Sequence, residues 1–351
     1  MSKHMFAGAS SPIGFVDFFD NIMSTEKVQS RFFLKGSSGS GKSTFMKKIA
    51  TALEAEGLEV ERFHCANDAE SLDAVANYER GICFIDATFP HSHDPQMPII
   101  TDKIIDFSQF IDKDKVSSHR AEITLLTRAK KSLSEKAAGY FAALGKIYNA
   151  DKVNCKEFLI NQSVNKLTKE WSKIFRTNKN TNNSINRKLF LSAVTPDGLV
   201  SFADDFFSEC TVYGIFTEHI IGIGEFLEQM KDEANNYGMF TNSFYNPFDP
   251  KIIEHLHIPE INTAFVTIDG HFGYSGIVAE KIDLTQCINR KFANHNTQNN
   301  NELFNTMLNE VIDLMKASRD QHFKIEQLYS GSLDYERVDE LTERTIRDIL
   351  L

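Results

Sequence analysis

The chain repeats itself, and a repeat constrains a fold more tightly than any single motif does. The stretch "MFAGASSPIGFVDFF" (5–19) is matched by "LFLSAVTPDGLVSFA" (189–203), with Pro12 over Pro196 and Gly14 over Gly198. After a short deletion the register resumes: Gly57 over Gly238, Phe63 over Phe244, Asp68 over Asp249, Glu79 over Glu260 and Phe84 over Phe265. Both copies then run into related stretches, "KIIDFSQFID" and "KIDLTQCIN". One shared glycine would be chance, whereas an ordered series over about sixty residues points to duplication. A length of 351 residues suits two such units.

Within the first copy, "RFFL" is a short apolar run of the kind a buried parallel strand requires. The stretch "KSTFMKKIATALEAEG" puts Phe45, Ile49 and Leu53 on one helical face and stops at Gly57. "LEVERFHC" reads as a strand, "DAESLDAV" as a short helix and "GICFIDAT" as a second buried strand. Strands alternating with helices predict βαβ units and a parallel sheet. Beyond residue 115, Ile123, Leu126, Leu133, Ala137, Tyr140, Phe141 and Leu144 recur at helical spacing, and a second helix runs from Phe158 to Phe175. This predicts a long helical hairpin ending in the polar linker "RTNKNTNNSINRK". The second copy closes similarly, with polar "ANHNTQNNNE" before helices that reach Leu351. The expected organisation is an α/β core over 1–115, a helical arm and linker over 116–187, a second core over 188–291 and a second arm over 292–351.

The first copy carries recognisable chemistry. Gly36-Ser37-Ser38-Gly39-Ser40-Gly41-Lys42-Ser43 fits G-x-x-x-x-G-K-[ST] in full, between a predicted strand and a predicted helix. Small residues let successive backbone N–H groups turn inward around a phosphate, and the helix N-terminus adds partial positive charge. Lys42 is placed to reach the β- and γ-phosphates, Ser43 to hold Mg²⁺ and Thr44 to touch the α-phosphate. Asp86 ends a buried strand, where a carboxylate can hold the hydration shell of that Mg²⁺. Close by, "ATFPHSHDPQ" offers His91, His93 and Asp94 as groups that could orient water, and His64 and Cys65 end a strand at the same sheet edge.

"GSSGSGKST" resembles the Walker A motif of the P-loop NTPase superfamily, and "ICFID" resembles its Walker B motif. The tandem arrangement, with "FHCANDAESLD" and "LFLSAVTPDGLVSF", looks like a bacterial family of doubled P-loop ATPase-like proteins in which both halves can carry a loop. The resemblance implies two duplicated P-loop-type α/β domains and binding of a nucleotide with Mg²⁺. One departure bears on hydrolysis. Many relatives place a glutamate directly after the Walker B aspartate to polarise the attacking water, and here Ala87 and Thr88 follow Asp86.

The second copy has lost this chemistry. Continuing the register, Gly36 falls on Thr217, Gly39 on Ile220, Gly41 on Gly222, Lys42 on Ile223 and Ser43 on Gly224. Glu218 and Glu225 add negative charge, and Asp86 is replaced by Thr267, with Asp269 two residues on. The expectation is therefore one Mg²⁺-nucleotide per chain, in the first half. No guanine-reading Asn/Thr-Lys-x-Asp pattern occurs, which favours ATP over GTP.

Four activities compete for such a chain: a slow or partner-stimulated ATPase acting as a nucleotide switch, a non-hydrolysing adaptor, a small-molecule or nucleotide kinase, and a nucleic-acid-associated ATPase. Arg120 and Arg128 could serve a kinase as lid arginines. The segment 166–188 holds Lys166, Lys169, Lys173, Arg176, Lys179, Arg187 and Lys188, opposed by Glu170 alone and accompanied by Trp171, as a nucleic-acid contact would need. A net charge of −10 argues against a protein coated in nucleic acid, and solvated linkers are rich in the same residues. No apolar run is long enough to span a bilayer, and the first twenty residues do not read as a signal peptide. Five scattered cysteines (Cys65, Cys83, Cys155, Cys210, Cys287) fit reduced thiols in a cytoplasm better than a disulfide frame or zinc site. The protein partner is unknown.

Overall fold

The computed structural model describes residues 2–88, 93–155, 158–177, 185–217, 221–289 and 298–351. In the first half the strands are β1 (Ser2–Met5), β2 (Gly8–Ser11), β3 (Gly14–Asp17), β4 (Ser30–Lys35), β5 (Val60–Cys65), β6 (Asp68–Asn77), β7 (Ile82–Asp86) and β8 (Asp102–Asp106), with helix α1 (Lys42–Ala55) after β4. The arm that follows holds α2 (Lys113–Ser118), α3 (Arg120–Cys155) and α4 (Asn161–Trp171). The second half repeats the plan: β9 (Asn186–Leu189), β10 (Ser192–Thr195), β11 (Gly198–Ser201), the one-turn α5 (Ala203–Phe206), β12 (Thr211–Phe216), α6 (Ile223–Asn236), β13 (Thr241–Asn246), β14 (Asp249–Ile258), β15 (Thr263–Thr267) and β16 (Glu280–Asp283). Its arm is α7 (Gln298–Ser330) and α8 (Tyr335–Leu350).

The repeat expected from sequence is visible in the topology. One six-stranded sheet has the order β1-β5-β6-β7-β4-β8 and the other β9-β13-β14-β15-β12-β16, so each strand finds its counterpart at the same place. Directions match as well, because β5–β6–β7 and β13–β14–β15 are antiparallel while the flanking pairs are parallel. Matched glycines also share a backbone. Gly41 and Gly222 begin α1 and α6 at φ 89° and 80°, a left-handed conformation that a side chain would strain.

Two expectations are corrected. The sheets are mixed, not wholly parallel, and "DAESLDAV" is the first part of strand β6. The acidic, alanine-rich start of that stretch has helical character, but Leu72 to Asn77 are buried without a break between β5 and β7. Pairing on both sides decides the conformation, since strand preference is set by neighbours more than by the residue itself. The helical hairpin also has different partners. Helix α3 pairs with α7, antiparallel, as Lys130 meets His322 and Ser134 meets Ser318.

The arms are exchanged between the halves. Helix α4 leaves the first arm to pack its Val164 and Leu167 against Phe226 and Leu227 of α6, and α8 leaves the second arm to lay Val338 and Ile349 on the core under α1. Matching bridges mark the crossings, Leu159 with Ile288 and Ile111 with Leu333. The two sheets share a core in which Met5, Phe63 and Ala74 pack with Phe207, Phe244 and Ala264. Next to it Phe6 and Phe190, equivalent residues of the two copies buried in the core around α6, exchange backbone hydrogen bonds of 2.9 and 3.0 Å. A buried ion pair also joins the halves: Arg187 donates to both carboxylate oxygens of Glu61 at 2.7 and 2.6 Å.

Candidate functional site

The loop from Gly36 to Gly41 connects β4 to α1 at the carboxyl end of the parallel strands β4 and β7. Gly36, Gly39 and Gly41 adopt φ of 149°, 71° and 89°, so the chain turns three times where a side chain would resist. The Lys42 side chain folds back across the loop. Its ammonium donates to the carbonyl oxygens of Gly36 (3.0 Å) and Ser37 (2.9 Å) and lies 3.6 Å from Asp86 Oδ2. Only 7% of that side chain is exposed, so the cation sits in a poorly hydrated site where an anionic ligand would interact strongly. The other carboxylate oxygen of Asp86 accepts from the Thr88 amide and hydroxyl. The Ser43 hydroxyl accepts from the Leu72 amide at 3.0 Å, which ties the loop to β6.

Ser38 to Thr44, together with Asp86 and Thr88, line one cavity of about 840 Å³. Its other walls are Ser10, Ser11 and Phe15 of the β2–β3 hairpin, the β5–β6 turn, and the facing sides of α3 and α7. Gly36 and Ser37 stand behind this wall and support Lys42 through their carbonyls. The arms therefore close over the loop. A side chain built on Gly39 would lie 2.4 Å from the backbone carbonyl of Glu326, so α7 rests directly on the loop.

The arm residues that face the loop carry charge. Lys130 donates to His322 Nδ1 at 2.8 Å, and His322 Nε2 lies 3.8 Å from Glu326. Burial, then the charge of Asp68, pushes the Glu326 carboxyl above its usual range, against the nearby Gly39 amide, Lys42 and Lys130. Burial lowers His322 to about 4, aided by Lys130, so its ring is neutral at pH 7. Burial also lowers Lys130. Arg319, another cavity residue, pairs with Asp197 of the β10–β11 hairpin. Sequence reasoning passed over Lys130, Arg319, His322 and Glu326. They were legible only as helix-face charges, because nothing local says that α3 and α7 cross the loop.

Other candidates fall elsewhere. Arg120 and Arg128 are exposed and do not line the cavity. His93 lies 3.5 Å from Asp17, and Lys35 binds both the His93 carbonyl and Asp94; neither acidic nor imidazole group reaches the cavity. His91 lies outside the described residues. Cys65 lines the cavity, where burial drives its thiol well above the normal range, and His64 turns instead to His4 at 2.8 Å. In the basic segment, Lys166, Lys169, Lys173 and Arg176 are exposed, Arg187 is consumed by Glu61, Trp171 packs edge-on against Tyr213, and Lys179 lies outside the described residues.

The equivalent loop of the second half has the same entry and other contents. Ile223, in the place of Lys42, is fully buried in the apolar core with Phe226 and Ile253. Thr217 takes its amide partner from Asp269 at 3.1 Å, and Thr267 donates to the Glu254 carbonyl. A Cβ on Gly222 would meet Leu159 at 2.9 Å, since the segment leading into α4 lies over this loop. Glu218 and Ile220 lie outside the described residues. Among the described residues, no group of three or more His, Cys, Asp or Glu side chains forms a metal cluster, and no helix is long and apolar enough to cross a membrane. The chain matches no family model, no curated protein and no solved structure.

Proposed function

We propose that the first half binds one nucleoside triphosphate with Mg²⁺, ATP in preference to GTP, and that the chain is a P-loop protein working as a slow or partner-stimulated ATPase and nucleotide switch. The observation that carries this reading is the buried Lys42 held across a glycine-rich turn at the start of α1, 3.6 Å from Asp86, on the wall of a cavity large enough for a nucleotide. The donor set fits the ligand. Backbone amides of Ser38 to Thr44 and the Lys42 ammonium suit phosphate oxygens, and the Ser43 hydroxyl with the Asp86 carboxylate suits a hard divalent cation. Mg²⁺, when bound, neutralises charge between phosphate oxygens.

Slow turnover follows from the residues after Asp86. Ala87 is apolar, and Thr88 spends its amide and hydroxyl on Asp86, so neither is a general base. The second half, with Ile223 for Lys42, contributes structure and no equivalent site. Calorimetric titration with a slowly hydrolysed ATP analogue and Mg²⁺ should saturate near one equivalent. Two equivalents, or binding that survives Lys42→Ala, would sink the reading.

A kinase is the second reading, favoured by the length of the cavity. It continues past the loop to Phe15 of the β2–β3 hairpin and to Phe141 of α3 and Met315 of α7, leaving room for an acceptor. Phosphate release in the absence of any acceptor distinguishes the two.

A further inference from the structure

The cavity extends to both sides of the loop, and α7 gives the scale. Glu326 rests on Gly39 with its backbone. Met315, at the apolar end, stands about 16 Å back along the helix. In the other direction α7 ends at Ser330, and Tyr335, the first residue of α8, donates its hydroxyl to the Ser330 carbonyl at 3.2 Å. This second end is lined by Thr44 and Lys47 of α1 and by Leu333 and Tyr335. It is fixed to the first half. Leu333 would lie 3.5 Å from a Cβ on Gly41, Lys48 pairs with Asp339 at 2.6 Å, and the Asp334 amide donates to the Phe110 carbonyl at 2.8 Å. Two Cα steps from Leu333 to Tyr335 span at most about 7 Å, so Tyr335 stands within a nucleoside's length of the start of α1. Its side chain is open to a ligand, since the residue is 60% exposed although it lines the cavity.

The second half shows the same place without the chemistry. Leu159 covers Gly222 as Leu333 covers Gly41, and the Ile160 amide donates to the Cys287 carbonyl as the Asp334 amide donates to that of Phe110. The residue in the place of Tyr335 is therefore Asn161, at the start of α4. The half that keeps the lysine has an aromatic ring beside its loop, and the half with Ile223 has an amide there.

We propose that Tyr335 is the platform on which the base of the nucleotide stacks, so that the ligand leaves the loop toward α8 and away from Phe15, Phe141 and Met315. The inference rests on the nucleotide reading and adds the direction in which the ligand lies. With the terminal phosphate at Lys42 and Asp86 and the first at Thr44, the nucleoside leaves the loop beside Lys47, on the Tyr335 side of the cavity. A ring tethered by its own hydroxyl loses little freedom when a base is laid on it, and every base has a face to offer. Because α8 belongs to the second half, the ligand is held jointly, its phosphates by the first half and its base by the exchanged arm.

The test compares a slowly hydrolysed ATP analogue, ADP and inorganic tripolyphosphate, each with Mg²⁺, by calorimetry on the full chain. Tyr335→Ala should weaken the ATP analogue and ADP by the same factor, about tenfold, the scale of one base on one ring. Tripolyphosphate, which has no base, should stay within about twofold of wild type. Tyr335→Phe keeps the ring and should bind all three as wild type does. Phe15→Ala, at the other end, should leave the ratio of nucleotide to tripolyphosphate affinity unchanged. Thermal unfolding of each variant checks that the arms still fold. Wild-type nucleotide affinity in Tyr335→Ala, or an equal loss of tripolyphosphate, would overturn the proposal while leaving the loop as a phosphate site. A Phe15→Ala variant that weakens the nucleotides alone would overturn it too, by placing the base at the opposite end. Wild-type protein that binds neither nucleotide nor tripolyphosphate would instead remove the underlying reading.

Discussion

Gly41 and Gly222 start their helices with nearly the same left-handed backbone, yet the next residue is Lys42 in one half and Ile223 in the other. The two α/β units thus share what the loop needs for folding and differ in the polar groups it carries. The helix start, the glycine and the strand before it are retained in both. The cation, the hydroxyl of Ser43 and the carboxylate of Asp86 are retained in one. The same split appears at the neighbouring sheet edge. In the first half Arg31 donates to both oxygens of Asp102 at 3.1 and 3.0 Å, buried between β4 and β8. The register of β12 with β16 puts Val212 and Ala279 at that place. There Val212 is buried and Ala279 exposed, so the second half has no ion pair where the first half buries one.

The largest effect expected from this difference is on stability. Asp102→Ala leaves the Arg31 guanidinium buried without its partner and should cost about 3–5 kcal/mol. The double change Arg31→Val with Asp102→Ala copies the second half and should recover part of that loss, because no guanidinium is left buried without a partner, while the Gln96 and Met97 amides and the Thr101 hydroxyl still lack their Asp102 acceptor. Urea unfolding of the three proteins measures it. A double variant as unstable as Asp102→Ala would mean that the two edges are not interchangeable.

Next in size is the ligand. Lys42→Ala should weaken binding of the ATP analogue about a hundredfold, the scale of losing charge-assisted hydrogen bonds in a poorly hydrated site. Ile223→Lys should gain nothing, because Gly224 supplies no hydroxyl, Thr267 no carboxylate, and Leu159 covers the loop. A second equivalent of nucleotide in Ile223→Lys would show that the second half lacks only its cation.

How far the sequence foretold this can be argued residue by residue. The repeat, the strand–loop–helix around Gly36 and the loss of the lysine at Ile223 were all legible, since each depends on local pattern. Strand β6 was misread because Asp68, Glu70 and Ala69 say helix, while the pairing that overrules them comes from β5 and β7. Glu326, His322 and Lys130 could not be found, since their meaning depends on the crossing of α3 and α7. Arg187 read as a free cation in a polar linker, and only the contact between halves reveals Glu61 beneath it.

Acid should separate the halves next. His255 and His257 on β14 are buried, and burial lowers both to about 3; their counterparts on β6 are Ala74 and Ala76. A histidine whose folded pKa is depressed binds fewer protons folded than unfolded. Its stabilising contribution is therefore complete above the unfolded value near 6.5 and is lost as pH falls toward 3, by at most about 1.4 kcal/mol per pH unit for each ring. Hydrogen exchange should show β14 losing protection below pH 6.5 sooner than β6. Replacing both histidines by alanine should flatten the dependence of stability on pH over that window, whatever it does at pH 7. An unchanged slope would mean that other groups, such as the half-buried His4 and His64, govern acid sensitivity.

The smallest expected difference concerns the two helix starts themselves. Alanine at either glycine must adopt a left-handed backbone, at a cost of roughly 1–2 kcal/mol. Space then divides them. A Cβ at position 41 would find Leu333 at 3.5 Å, an ordinary contact, whereas at 222 it would find Leu159 at 2.9 Å and must push it aside. Gly222→Ala should therefore lower the urea midpoint more than Gly41→Ala. Nucleotide affinity should run the other way, falling with Gly41→Ala, whose amide belongs to the candidate site, and holding in Gly222→Ala. Equal affinities in the two variants would break the assignment of chemistry to one loop and of packing to the other, because the same change in the same backbone would then have the same consequence on both sides.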